Sequence, residues 1–210
     1  MKAKKRGSRG RFLILAGLIC LLCCCALVLY NIWDSSRAGQ ASTDISARLE
    51  SDIQSDDGQD LERIDGMPVR MIDGYACIGE IEIPDLSLRL PVLADWDYDR
   101  LKISPCRYSG SYLKDDMVIC GHNYFKHFAP IVRLGIGQEV DFIAADGSVY
   151  RYQVCNAQTV QPTSVEQMVE NDKNASGKGV ENRWDLTLFT CNLGGQTRHA
   201  VRCIRYDPQP

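Results

Sequence analysis

Between Phe12 and Trp33 the 210-residue chain has no charged side chain, and between Met1 and Arg11 it has no acidic one. The first absence leaves a run dominated by Leu, Ile, Val, Ala and Cys, and about 20 apolar residues are enough for a helix to cross a bilayer core. Residues 12–33 are therefore read as a transmembrane anchor. Lys2, Lys4, Lys5, Arg6, Arg9 and Arg11 make residues 1–11 a basic tail, which the positive-inside rule places in the cytoplasm, with everything after Trp33 outside. A cleavable signal peptide would have a shorter apolar stretch and a small-x-small site directly after it; no such site follows, and the anchor is read as uncleaved.

Other scarcities narrow the function. Beyond the tail the chain keeps 18 of its 24 basic residues against 27 acidic ones, a net of minus nine, which excludes nucleic acid as an expected partner. Past residue 33 there is no Cys-x-x-Cys pair, so zinc-ribbon and thioredoxin readings fall away. No internal repeat is visible. Only three histidines, His122, His127 and His199, are available for proton transfer. Asp95, Asp97 and Asp99 begin like a calcium loop, but Arg100 stands where that loop needs Gly and Cys106 where it needs Glu, so they are read as helix-cap and surface residues.

Ten cysteines are present. Cys20, Cys23, Cys24 and Cys25 lie in the apolar run, where thiols act as small apolar groups; Cys77, Cys106, Cys120, Cys155, Cys191 and Cys203 lie beyond it. If one of these six is a nucleophile, the remaining five cannot all pair.

Residues 34–70 are rich in Ser, Asp, Gln and Gly and are read as a polar stalk, partly helical because Ile45, Leu49 and Ile53 fall at helical spacing. The domain is taken as residues 71–210. Alternating or continuous apolar runs predict strands over 76–84, 88–92, 117–120, 139–144, 148–160, 185–191 and 197–206, with Asp146-Gly147 as a hairpin turn. A helix is predicted over 126–134. Residues 161–183 read as a long connection, helical around 165–170 and with a polar tail at 172–179. Seven or eight short strands with few helices imply a mainly β fold, a closed β-barrel with short helices preceded by one transmembrane helix.

The strand Asp185 to Cys191 ends on a thiol. A glycine-containing turn follows, and Arg198 stands on the next strand. A thiol at a sheet rim beside a positive charge is placed where its thiolate can be stabilised and reached. Upstream, Gly121-His122 follows the strand Met117 to Cys120. The pattern Thr-Leu-x-Thr-Cys at Thr187 to Cys191, the Arg on the following strand, the Gly-His pair and an opening Ile-Pro-x-Leu-x-Leu-x-Leu-Pro-Val at Ile83 to Val92 together resemble the sortases, the cysteine transpeptidases of Gram-positive cell surfaces. The resemblance covers about residues 71–207.

It implies a sortase-type barrel in which Cys191 is the nucleophile, His122 the group that protonates the leaving amine, and Arg198 the donor to an oxyanion or substrate carbonyl. Thr190 would support the oxyanion region by hydroxyl or backbone, and Leu188 would help bind substrate. The implied substrate is a surface protein with a C-terminal Leu-Pro-x-Thr-Gly-like sorting signal. The resolving amine would come from a peptidoglycan precursor or from a pilin lysine. The wall-anchoring role is preferred, because no second apolar run follows the domain and no Asp-Pro-Trp lid segment precedes the barrel, Asp95-Trp96 lying within the domain. Subclass, class B- or D-like, stays open. The 161–183 connection would border the signal-binding groove. Some relatives bind calcium there, and Glu166, Glu170 and Asp172 could contribute, but at loose spacing; no cofactor and no metal are expected.

Each residue has a competing reading. Cys120 would share a strand face with His122 and is the rival nucleophile. His127 and His199 are alternatives to His122, and Arg202 and Arg205 to Arg198. From other classes, a catalytically idle peptide-binding barrel and a hydrolase with Cys120, His122 and Cys203 as metal ligands are kept open.

Overall fold

The computed structural model describes residues 7–55, 61–163, 169, 183–192 and 194–206. The chain divides into two units, Met1–Arg37 and Ala38–Pro210. Helix α1, Gly7–Gln54, contributes to both. In the first unit its large apolar side chains, Phe12, Leu15 and Leu22 among them, are exposed around the helix. This stretch is long and apolar enough to cross a membrane, and apolar side chains exposed all round a helix suit lipid.

The second unit keeps the end of α1. Ala38, Ser42, Ile45 and Leu49 follow one another at four, three and four residues, so they share a helix face, and all four are buried. Ser42 shares a hydrogen bond with Ser104 at 3.0 Å, and Arg48 pairs with Asp73. Ile45 and Leu49 pack with Ile72, Cys77, Leu93, Cys106 and Cys120. The segment whose polar composition suggested a spacer thus carries a narrow apolar stripe docked on the barrel, which averaging over the segment conceals. Leu49→Ala should lower stability by about 2–5 kcal/mol, measured by denaturant unfolding, because the removed side chain is fully buried. A loss below about 0.5 kcal/mol would show that the contact is not maintained.

Two short hairpins open the barrel. Strands β1 (Arg63–Ile64) and β2 (Met67–Pro68) turn at Asp65-Gly66, and β3 (Arg70–Ile72) and β4 (Tyr75–Ile83) at Asp73-Gly74. All four turn residues have positive φ, as a type I′ turn requires. A 3-10 turn, Pro84–Leu86, leads to β5 (Leu88–Leu93). Helix α2 (Tyr98–Leu101) is capped by Asp97, whose carboxylate accepts from the Asp99 and Arg100 amides at 2.9 and 2.7 Å, while Asp95 and Asp99 lie at the surface. Then come β6 (Cys106–Ser109), β7 (Met117–Gly121), β8 (Glu139–Ala144), β9 (Val149–Val160), β10 (Leu186–Cys191) and β11 (Arg198–Arg205).

The strands pair in the order β4-β5-β6-β7-β10-β11-β9-β8, and β8 returns to β4, closing an eight-stranded barrel, with β3 added beside the start of β4. Two pairings are parallel, β5 with β6 and β7 with β10. One residue in two along each strand fills the interior, including Ile81, Ile119, Phe142, Tyr152, Leu188 and Val201.

The predicted helix over 126–134 is instead a turn followed by a short 3-10 helix, Ala129–Arg133. Pro130 explains the difference: it removes a backbone donor and pushes the preceding residue away from α conformation. Phe128, Ile131 and Leu134 still reach the core, and Val132 does not. The helical part expected at 165–170 and the polar tail at 172–179 lie outside the described residues, apart from Val169.

Candidate active site

Strand β10 alternates strictly. Leu186, Leu188 and Thr190 face the barrel interior, and Thr187, Phe189 and Cys191 face outward. Its neighbour β7 runs parallel, with Phe189 beside Cys120 and Thr190 beside Gly121. His122 follows the end of β7 and Cys191 ends β10, and both line one cleft. On the other side β11 runs antiparallel, and Arg198 is the register partner of Cys191. Three strand termini therefore meet at one rim, each offering an outward side chain: imidazole, thiol and guanidinium. All three line one cleft of about 300 Å³, and Cys191 is half-buried there.

Local contacts hold each group in place. A Cβ on Gly121 would stand 2.4 Å from the Phe128 ring, so the Gly before His122 is required by the close approach of that ring from the interior. The His122 carbonyl accepts from the Phe128 amide at 3.2 Å, and the imidazole stacks on Tyr124 with centroids 3.9 Å apart and planes 6° from parallel. The turn after Cys191 is tied by Asn192, whose amide donates to the Thr197 carbonyl at 2.9 Å and whose side-chain nitrogen donates to the Thr197 hydroxyl at 2.7 Å. Gly194 and Gly195 have φ of 85° and 71°, a conformation few other residues adopt. Arg198 Nη1 donates to the carbonyls of Gly195 at 2.9 Å and Thr197 at 3.3 Å. Both bonds come from one nitrogen of a five-donor fork, which orients the guanidinium against the turn.

Thr190 is buried, and its hydroxyl donates to the Gly121 carbonyl at 2.9 Å. That bond clamps β10 to β7 at the rim and commits the hydroxyl to structure, although the residue still borders the cleft. Leu188, expected to help bind substrate, is fully buried in the barrel core and is not part of the cleft wall. Its distance of three residues from Cys191 puts it on the opposite face of the strand.

The competitors occupy other environments. Cys120 lies 3% exposed at the cleft floor, and burial pushes its thiol up to about 12; its Sγ donates to the Cys106 carbonyl at 3.4 Å. So held, it stays neutral and is a poor nucleophile. His127 is fully buried, and burial lowers its pKa to about 4. His199 pairs with Thr190 in the sheet, on the face away from Arg198, and burial lowers its pKa as well. Arg202 is buried over Trp184, 5.8 Å from the ring centroid, and Arg205 pairs with Asp115 at 3.3 Å and covers Tyr150. Cys203 points into the barrel core, away from Cys120 and His122, so the three do not form a ligand set. Among the described residues no group of three His, Cys, Asp or Glu is placed to hold a metal ion. Glu166, Glu170 and Asp172 lie outside the described residues.

One feature of the site escaped the sequence. Tyr98, Trp96, Tyr108 and Phe189 form a continuous aromatic wall, with ring centroids 6.0, 5.3 and 5.3 Å apart in turn. Phe189 could have been found from strand alternation, two residues before Cys191 on the same face. Trp96, Tyr98 and Tyr108 reach the cleft through the α2 loop and β6, and no local pattern marks them.

A thiol, an imidazole and a guanidinium at one rim, over an apolar cleft, suit acyl transfer: a nucleophile, a proton carrier and a donor for developing oxyanion charge. Comparison with known proteins gives the family and the fold. The sortase-domain family profile matches residues 81–206. No curated protein matches the chain significantly. Among solved structures it resembles a Clostridium perfringens sortase D5 transpeptidase, with a TM-score of 0.58 at 13% identity over 80% of this chain and 99% of that one. It also resembles sortase A from Corynebacterium diphtheriae, with a TM-score of 0.54 at 21% identity, spanning 65% of this chain and 63% of that one. A third is a Clostridium perfringens sortase C solved with the C-terminal cell wall sorting motif, with a TM-score of 0.52 at 20% identity over 84% and 90%. At these identities the likenesses speak for the fold; the family match spans more than half of the chain, which belongs to the sortase family of cysteine transpeptidases.

Proposed function

We propose that this sortase is anchored in the cell membrane by residues 12–33, with its tail in the cytoplasm and its barrel outside, and that it joins surface proteins to an amine of the cell wall. The substrate is a C-terminal Leu-Pro-x-Thr-Gly-like signal. The Cys191 sulfur attacks the Thr carbonyl, the Thr–Gly bond breaks, and His122 protonates the departing amine. The carbonyl oxygen carries negative charge during both transfers, and Arg198 donates to it. An incoming amine then attacks the thioacyl carbon and gives up a proton to His122, and the carbon–sulfur bond breaks to release the Cys191 thiolate. The observation that carries this reading is the one cleft lined together by Cys191, His122 and Arg198, with Arg198 the register partner of Cys191. The signal seen with the Clostridium perfringens sortase C supports a substrate of this class.

The test is incubation of the full-length protein in detergent with a library of pentapeptide signals and a set of amines, read by mass. The expected product joins the peptide, cut after Thr, to a wall-type amine such as a glycine or diaminoacid amine. Preferential joining to a pilin lysine would make the enzyme a pilus builder, and no cleavage of any signal would make it an idle binding barrel. In the same assay Arg198→Lys should lose more than about tenfold in kcat/KM, because an ammonium keeps the charge but not the planar fork. Activity near the parent's would reduce Arg198 to a surface charge.

A further inference from the structure

Across the outer face of the sheet, one row of side chains runs in register through five strands: Cys77, Leu93, Cys106, Cys120 and Phe189. Ile45 and Leu49 of α1 cover it. Within that row Cys106 and Cys120 are direct partners on the antiparallel strands β6 and β7. Residues opposed in this way stand about 4.5–5.5 Å apart at Cα, inside the range a disulfide spans.

No other pair of thiols beyond α1 is so placed among the described residues. Cys77 is separated from Cys106 by the whole of β5, about 10 Å, which is beyond the reach of a disulfide. Cys191 lies diagonal to Cys120, two residues past its partner Phe189, at the 7–8 Å or so typical of diagonal neighbours. Cys203 faces the interior opposite Val154, and Cys155 sits in a bulge where the register shifts, with no direct cross-strand partner and with its Sγ on the Arg202 carbonyl at 3.2 Å.

We propose that Cys106 and Cys120 are a disulfide-forming pair that fastens β6 to β7 beneath the active-site rim. In the structure both are thiols, Cys106 donating to the Ser104 carbonyl and Cys120 to the Cys106 carbonyl, each at 3.4 Å. Joining them takes a rotation about χ1 and a two-electron oxidant. A disulfide donor supplies it by exchange: one S–S bond forms in the protein, the donor's breaks, and the donor leaves as two thiols carrying the two protons. Burial raises the pKa of both thiols and slows attack in the closed barrel, so exchange takes place while the barrel is forming or transiently open. The bond closes a short loop whose far strand leads two residues later to His122. It also removes the thiol closest to Cys191 in the row from competing chemistry. The proposal does not depend on the role of Cys191.

The test uses purified full-length protein in detergent, warmed to just below its unfolding midpoint in oxidised and reduced glutathione, then denatured, treated with N-ethylmaleimide and digested without reductant. The expected result is a peptide linking residues 106 and 120, with maleimide on Cys77, Cys155, Cys191 and Cys203. Maleimide on both Cys106 and Cys120 at every glutathione ratio, or a link from Cys120 to Cys191, overturns the proposal. A second measurement guards against handling artefacts: on reduction of the oxidised protein, Tm should fall by about 5–10 °C, and the Cys106→Ala protein should show no such dependence. An unchanged Tm in the parent protein also counts against the bond.

Discussion

Under the proposed mechanism, replacing Cys191 with Ala should remove both cleavage of a sorting-signal peptide and its transfer to an amine, a fall on the order of 10⁴-fold or more. Covalent catalysis divides one difficult amide exchange into two acyl transfers through the sulfur, and among the described residues no second cysteine is placed to take over. The neighbouring thiol that shares the cleft is Cys120, and burial that pushes it up to about 12 keeps it protonated. Cys203, fully buried in the barrel core, is cut off from substrate. Peptide release and transfer products followed by mass should therefore vanish in Cys191→Ala and persist in Cys120→Ala. The opposite pattern would move the nucleophile to the cleft floor.

The second large effect belongs to His122. His122→Ala should reduce kcat/KM by about 10²–10⁴-fold, the usual worth of a positioned proton donor and acceptor. The imidazole lines the same cleft as Cys191, its ring braced on Tyr124 and its backbone held by Phe128. Loss of proton transfer, rather than of packing, is distinguished by adding free imidazole, which should recover part of the rate while Tm stays unchanged. His199→Ala should keep a rate within a few-fold of the parent enzyme, since that side chain faces away from Arg198. His127 sits fully buried, and burial lowers its pKa to about 4, so at neutral pH it has no proton to give. A large loss in His199→Ala with little in His122→Ala would reverse the assignment.

Much of this could be read before the fold was seen, and the reasons differ by element. Strands β4, β5 and β7 to β11 were legible because half-buried strands write an alternation, or an unbroken apolar run, into the chain. Strand β6, Cys-Arg-Tyr-Ser, has only four residues, with polar Arg107 and Ser109 among them, and β1 to β3 are shorter still; their Asp-Gly turns at 65–66 and 73–74 were the available signal. The helix expected at 126–134 failed at Pro130, whose local chemistry overrides apolar spacing. The helical spacing of Ile45, Leu49 and Ile53 was legible in the stalk, but its docking on the barrel was not, because the inward residues are diluted by Ser, Asp, Arg and Gln around them.

At the candidate site, that Cys191, His122 and Arg198 line one cleft could be expected because each sits in a short recognisable pattern at a strand end. Leu188 was assigned to substrate on the same pattern, yet strand parity puts it in the core, and that could have been counted from Cys191. The aromatic wall was not legible, since Trp96, Tyr98, Tyr108 and Phe189 come together only when β6 and β10 are drawn to either side of β7.

The most direct measurement is the intact mass of the full-length protein quenched in acid within its first turnovers on a sorting-signal peptide without added amine. The expected result is a gain equal to the peptide's acyl portion through Thr, mapped by digestion to Cys191 and released by hydroxylamine. An adduct on Cys120, or turnover of the peptide with no acyl adduct on any cysteine, would contradict transfer through Cys191 at the barrel rim.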